Sequence, residues 1–262
     1  MTWAAFTSEW TKLKRKTLLL STFLGLAVAA SAFVILLFAN AHAHGDGGGL
    51  PTLPQLARPN GLVVGVTRAT MLLGIVAFGI AAAQTASEYS LGTLRQVLVR
   101  QPRRVVLLVG KMLAVITFIL LAFLFAAVVA FVVAIVMAHA RHTSTSAWFT
   151  GTGLGDLFRA LGDIALAVVG YSILGLAIGQ LLRSAVFSVI AGLAWIIAIE
   201  NIIGRIVPST TKWLPGTALE TVASGGTSAG PSFSHGLAVG VVYLVVALIA
   251  ALGTFARADV TA

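Results

Sequence analysis

The residues able to do chemistry are few in this sequence and sit at the margins of long apolar runs. All five histidines (His42, His44, His139, His142 and His235) fall in polar segments. His42 and His44 with Asp46, and the pair His139 and His142, carry donor types that suit a transition metal. Their Gly-rich or exposed surroundings make a poor rigid cage, so no metal site is assigned. Arg68, Asp163, Glu200 and Arg205 lie close to the ends of apolar segments. Ionisable groups inside a span are functional candidates by default. Near a span end, snorkelling or mutual pairing is the simpler account. Gln84, Tyr171, Ser172 and Gln180 offer polar contacts within apolar runs, toward a pathway or between helices. No Ser/His/Asp set or paired carboxylate is spaced for catalysis, and the chain has no cysteine. Gly110-Lys111 does not close a phosphate loop, because Val105 stands where a glycine is needed and Met112 where Ser or Thr would hold magnesium.

The densest polar stretch is residues 84–104. Thr85 and Glu88 have capping-box spacing. Leu91, Leu94 and Leu98 form an apolar stripe, Arg95 points elsewhere, and Pro102 ends the segment. Arg103 and Arg104 can snorkel to headgroups where the next apolar run begins. The pattern predicts a short amphipathic helix between two spans. Such a helix either lies on the headgroups or docks to a partner.

The elements that must position these residues are set by composition. Hydrophobic residues make up 58% of the 262 and charged residues 10%, against about 25% charged in soluble domains. The apolar runs at 17–38, 62–83, 105–138, 164–182, 185–199 and 237–255 predict six transmembrane helices in a single all-α domain over residues 1–262. The run at 105–138 would be about 50 Å long as one helix, more than a hydrocarbon core of about 30 Å needs. It must therefore tilt, protrude or bend. The first run, at about 22 residues, exceeds a signal core of about 7–15 and reads as a retained span. Gly61/Gly65 and Gly175/Gly179 have the spacing of close helix contacts, but in a chain with 27 glycines such steps also arise by chance.

Residues 1–16 read as an amphipathic helix on the membrane surface. Trp3, Phe6, Trp10 and Leu13 share one face, and Lys12, Lys14, Arg15 and Lys16 follow. Segments 139–162 and 200–235 read as outer loops, the first with a possible short helix at Leu154–Leu161 and the second either re-entrant or mobile. Excess basic residues favour the cytoplasmic side. With both termini there, eleven of the 17 Lys and Arg lie inside. The net charge of +9 is thus accounted for by flanking residues, and nucleic-acid binding is not expected.

Residues 88–111 resemble the hallmark of the ABC-2 family of ABC-transporter permeases. Glu88, Gly92-Thr93-Leu94-Arg95, Pro102-Arg103-Arg104 and Gly110-Lys111 occur in the family's order. Glu9-Trp10-Thr11-Lys12-Leu13 and Lys212-Trp213-Leu214-Pro215 are weaker likenesses to the family's opening segment and last outer loop. The resemblance implies the membrane subunit of a bacterial ABC exporter in the cytoplasmic membrane. It implies a cytoplasmic coupling helix whose Glu88, Tyr89, Leu91, Gly92, Thr93, Leu94, Arg95, Leu98 and Arg100 meet the ATPase, with Gly92 permitting close approach. Trp3, Phe6, Trp10, Leu13, Arg103 and Arg104 would face the membrane interface. Two ATPase subunits and a second permease, identical or paralogous, are implied, with ATP and magnesium on the ATPase and no cofactor on this chain. The competing readings are a stand-alone secondary transporter, which usually shows repeated halves and mid-membrane charges, and a membrane scaffold that moves no solute.

Overall fold

The computed structural model describes residues 2–41, 51–90, 92, 103–226 and 230–257, with backbone alone at 62, 64–72, 104, 256 and 257. Among the described residues every regular element is helical. The chain opens with α1 (Thr2–Leu13), breaks at Lys14 and Arg15, and turns into α2 (Lys16–Ala39). A short helix α3 (Leu53–Leu56) is closed by a capping box between Thr52 and Gln55. Then come α4 (Gly61–Ser90), α5 (Arg104–Ala140) and α6 (Gly151–Leu182). The next helix, α7, spans Ala185–Ile206 and holds a π turn at Ala194–Ile199. After a 3₁₀ turn at Pro208–Trp213 come α8 (Pro215–Ala223) and α9 (Phe233–Arg257).

The helices α2, α5, α6, α7 and α9 are long and apolar enough to cross a membrane. With α4, 30 residues long, they make six long helices. The chain is a multi-pass, all-helical membrane protein.

The structure sharpens or corrects the sequence reading in four places. The long third run, expected to tilt, protrude or bend, is one continuous helix, α5, of 37 residues, about 55 Å long. Its surplus length is covered at both ends. Near its start, α1 lies against Gly110, where a Cβ would meet the Ala5 Cβ at 2.5 Å. Near its end, Ala134 and Ala138 pack with Leu56 and Trp148, whose indole N–H donates to the Leu56 carbonyl at 2.8 Å. The short helix expected at 154–161 is instead the first part of α6. Thr150 caps that helix by accepting from the Gly153 N–H, and no proline interrupts α6 before its end at Leu182. The fifth span runs on to Ile206. The segment 200–235, which its composition left open between re-entrant helices and a mobile loop, holds α8 folded back against α6 and α9.

Small residues set the helix spacing. At Gly175 a Cβ would strike the Phe78 carbonyl, and at Gly179 it would lie 2.5 Å from the Ala82 carbonyl. The Gly175/Gly179 step, which chance could have produced, is the seam along which α6 meets α4. The turn from α6 to α7 is as tight as expected, with Arg183 in the left-handed region at φ 54°.

Candidate functional site

Where α1, α4 and α5 meet, four charged side chains close a ring. Lys12 Nζ lies 2.6 Å from Glu9 Oε1 and 2.7 Å from Glu88 Oε1. Lys111 Nζ lies 2.7 Å from Glu88 Oε2 and 3.3 Å from Glu9 Oε2. Each lysine touches both carboxylates, and the ring carries no net charge. Glu9, Glu88 and Lys111 are buried, while Lys12 is 36% exposed. Burial alone would lower the Lys12 pKa, but hydrogen bonds to Glu88 and Glu9 and their charges prevail and raise it. Burying such charges is expensive unless each one is paired. Among the described residues no buried side-chain nitrogen or oxygen lacks a partner.

The local folding explains how the ring assembles. Ala5, Glu9 and Leu13 recur every four residues, so they form one stripe of α1 and all three are buried. Gly110 clears the space that lets this stripe approach α5, and Lys111 follows at once. Glu88 sits in the last turn of α4. The expected Thr85/Glu88 capping box does not form. Thr85 lies inside α4 and its hydroxyl donates to the Ala81 carbonyl, because the helix runs on through this region to Ser90.

The ring frames the 91–102 segment at both chain ends, through Glu88 before it and Lys111 after it. Tyr89 adds a second anchor. Its hydroxyl accepts a hydrogen bond from Gln180 Nε2, and the Arg183 guanidinium stands 5.4 Å from its ring centroid. The end of α4 is thereby tied to the α6–α7 turn as well. Gly92 follows with φ 66°, a left-handed conformation that glycine adopts freely, and nothing lies within 4 Å of where its Cβ would be. Leu91, Thr93, Leu94, Arg95, Leu98, Arg100 and Pro102 lie outside the described residues, as do His42, His44 and Asp46. The side chains of Arg68 and Arg104 lie outside them too.

The aromatic stripe of α1 divides. Trp3 is 73% exposed, Phe6 and Trp10 are half-buried, and Leu13 enters the main core. The rings of Trp3, Phe6 and Trp10 stack in sequence at 5.2 and 5.7 Å, and Trp10 meets Phe118 of α5 edge-on. Arg103 is exposed.

At the opposite end of the bundle, Glu200 corrects the sequence reading. It neither snorkels nor pairs with Arg205. It is buried, and its carboxylate accepts hydrogen bonds from α8. Tyr171 and Gln180 bond neighbouring elements, whereas Ser172 donates within its own helix. Among the described residues no three metal-binding side chains come together.

Sequence reasoning noticed Glu9, Lys12 and Lys111 only as parts of motifs or as orienting charges. Two signals pointed further. Glu9 and Lys12 are three apart, the spacing of a helical ion pair. Lys111 is a lone cation inside an apolar run, which needs a partner.

A family model described as ABC-2 family transporter protein matches residues 5–201. No curated protein matches the chain. The matched range holds all four residues of the ring and ends one residue beyond Glu200.

Proposed function

The chain belongs to the ABC-2 transporter family, and on that premise we propose that it is the permease subunit of an exporter driven by a separate ATPase. A permease role in membrane transport follows from the family itself. ABC-2 permeases generally work with an ATPase subunit. To that role we add export as the direction, contact with the ATPase, and a second permease copy. The observation that carries this reading is the closed ring of Lys12, Glu9, Lys111 and Glu88. It braces both ends of the 91–102 segment against α1 and α5, as a loop that receives force from a partner requires.

In this reading the segment from Leu91 to Arg100 seats in the ATPase, while Glu88, buried in the ring rather than available for the contact, anchors it. Gly92 offers a left-handed turn with open space beside it. Nucleotide closure of two ATPase subunits pushes the loop. Glu88 passes the push to α1 and α5, and Tyr89 passes it to Gln180 and Arg183 at the end of α6. ATP and magnesium bind the ATPase. The ring end of the bundle faces the cytoplasm of a bacterial cell, consistent with Lys12, Lys14, Arg15, Lys16 and Arg103 gathering there. Trp3, exposed at the start of α1, faces the headgroups. Six helices supply half of a pathway, and a second copy or a paralogue supplies the other half.

Affinity purification from native membranes tests this. The chain brings down a phosphate-loop ATPase, and the double change Gly92→Glu with Arg95→Glu abolishes capture while membrane insertion stays normal. If the wild-type chain captures no ATPase and the double variant transports as well as the wild type, the reading fails.

A further inference from the structure

The third buried carboxylate among the described residues is unlike the two of the ring, because no cation among those residues forms an ion pair with it. Glu200 is 5% exposed and follows directly on the π turn of α7. Its Oε1 accepts from the Gly216 N–H at 2.8 Å and from the Trp195 indole N–H at 2.9 Å. Its Oε2 accepts from the Thr217 N–H at 2.9 Å and the Thr217 hydroxyl at 3.2 Å.

Two of these four donors are the free backbone N–H groups at the start of α8. A helix leaves its first N–H groups unpaired and carries partial positive charge there. Pro215 has no N–H to offer, and the N-cap residue, Leu214, has no side chain able to accept one. Glu200 therefore caps α8 from a different helix. Two further contacts hold the same spot. The Tyr171 hydroxyl donates to the Gly216 carbonyl at 3.0 Å, and Gly216 leaves room that a Cβ would take, 2.7 Å from Glu200 Oε2.

The π turn is what aims Glu200. A π turn admits one extra residue, which rotates everything after it by about 100° relative to unbroken α-helix. Return of residues 194–199 to α register would swing Glu200 away from Gly216 and Thr217. Outside the cap lies a polar cavity of about 380 Å³ bordered by Tyr171, Glu200, Asn201, Arg205, Thr211 and Glu220. Withdrawal of α8 would merge it with the interior.

We propose that Glu200 is a latch on α7 that holds α8 closed against α6 and α9, and that its release, by the π turn reverting to α register, opens this end of the transporter. The inference rests on the transport reading for its purpose, but not for its mechanics. Lifting α8 exposes the face that packs on α6 and α9, including Ala218, which is 1% exposed.

The absence of cysteine makes the experiment clean. Ala218→Cys is introduced as the only thiol in the full chain, reconstituted in lipid nanodiscs, and labelled with a membrane-impermeant maleimide. Labelling is slow in that background, at least about tenfold faster when Glu200→Ala is added, and intermediate with Glu200→Gln. A reporter at Ala160→Cys, also buried but on α6, labels at the same rate in all three backgrounds. Gly216→Ala, which crowds the carboxylate without removing it, speeds Ala218→Cys labelling as Glu200→Ala does and serves if Glu200→Ala fails to insert. Equal rates at Ala218→Cys in every background overturn the latch, and so does a parallel rise at Ala160→Cys. No ATPase enters the measurement, so a failed latch and a failed ATPase pairing are separately visible.

Discussion

Lys111 lies 5% exposed between two carboxylates, so its loss leaves Glu9 and Glu88 sharing the half-exposed Lys12. Breaking a buried pair by removing one partner costs about 3–5 kcal/mol, most of it the penalty of stranding a charge. Lys111→Met is expected to destabilise the protein by that order, read from its thermal melt in detergent. Adding Glu9→Gln should recover part of the loss, since a stranded charge is removed with it. If the two changes simply add, the ring is not a unit. Lys12 gives the ring its pH response. Its folded pKa is raised above the ordinary lysine value. Its contribution is therefore complete below that ordinary value and is lost as pH rises through the higher folded one. Docking of α1 should persist through neutral and mildly alkaline solution and loosen only above about pH 10.5, the usual lysine range. Distances between spin labels on Thr7 and Leu113 would report it, and an early release near neutrality would contradict the assignment.

The helices depend on small residues at a few crossings. A Cβ at Gly179 would stand 2.5 Å from the Ala82 carbonyl and 3.1 Å from its Cα, and backbone cannot swing aside as a long side chain can. Gly179→Val should push α6 off α4 and destabilise the bundle by about 1–3 kcal/mol, the usual range for overpacking. Gly162 on the same helix has nothing within 4 Å. Gly162→Ala should be neutral or stabilise by up to about 1 kcal/mol through helix propensity alone. Thermal melts of the two variants side by side separate crowding from propensity. The same crowding logic explains why α5 can be so long. Gly110 admits α1 along its first turns, and alanines admit Leu56 and Trp148 near its last, so neither end is left bare.

The molecule as a whole inverts the soluble pattern. Alanines such as Ala81, Ala82, Ala122 and Ala167 are fully buried, while Val28, Phe187 and Ile249 lie about two-thirds exposed. Lipid tails are as apolar as leucine, so nothing drives large side chains inward, and close contact between small residues holds the helices instead. Among the described residues the buried charges, Glu9, Glu88, Lys111 and Glu200, follow the same economy and gather at two places. One has a ring that neutralises itself, and the other has a carboxylate neutralised by a helix terminus. The unbroken α6 reaches both, through Gln180 to Tyr89 and through Tyr171 to Gly216.

The solvent, the long helices and the family were legible in the sequence because each depends on local pattern. Apolar runs of span length identify lipid, and basic flanks suggest a direction. The motif from Glu88 to Lys111 names the family. Capping signals were read less well, since Thr85 and Glu88 have the right spacing within a helix that does not stop there. What only the tertiary structure decided is which groups meet. Glu9 and Lys111 are far apart in the chain, as are Glu200 and Gly216, and no periodicity links either pair. A buried charge must find a partner, but packing between helices selects it. The segment 200–235 shows the same limit. Its Gly, Ser and Pro content is compatible with a mobile loop, yet Glu200 supplies the cap that α8 cannot make for itself.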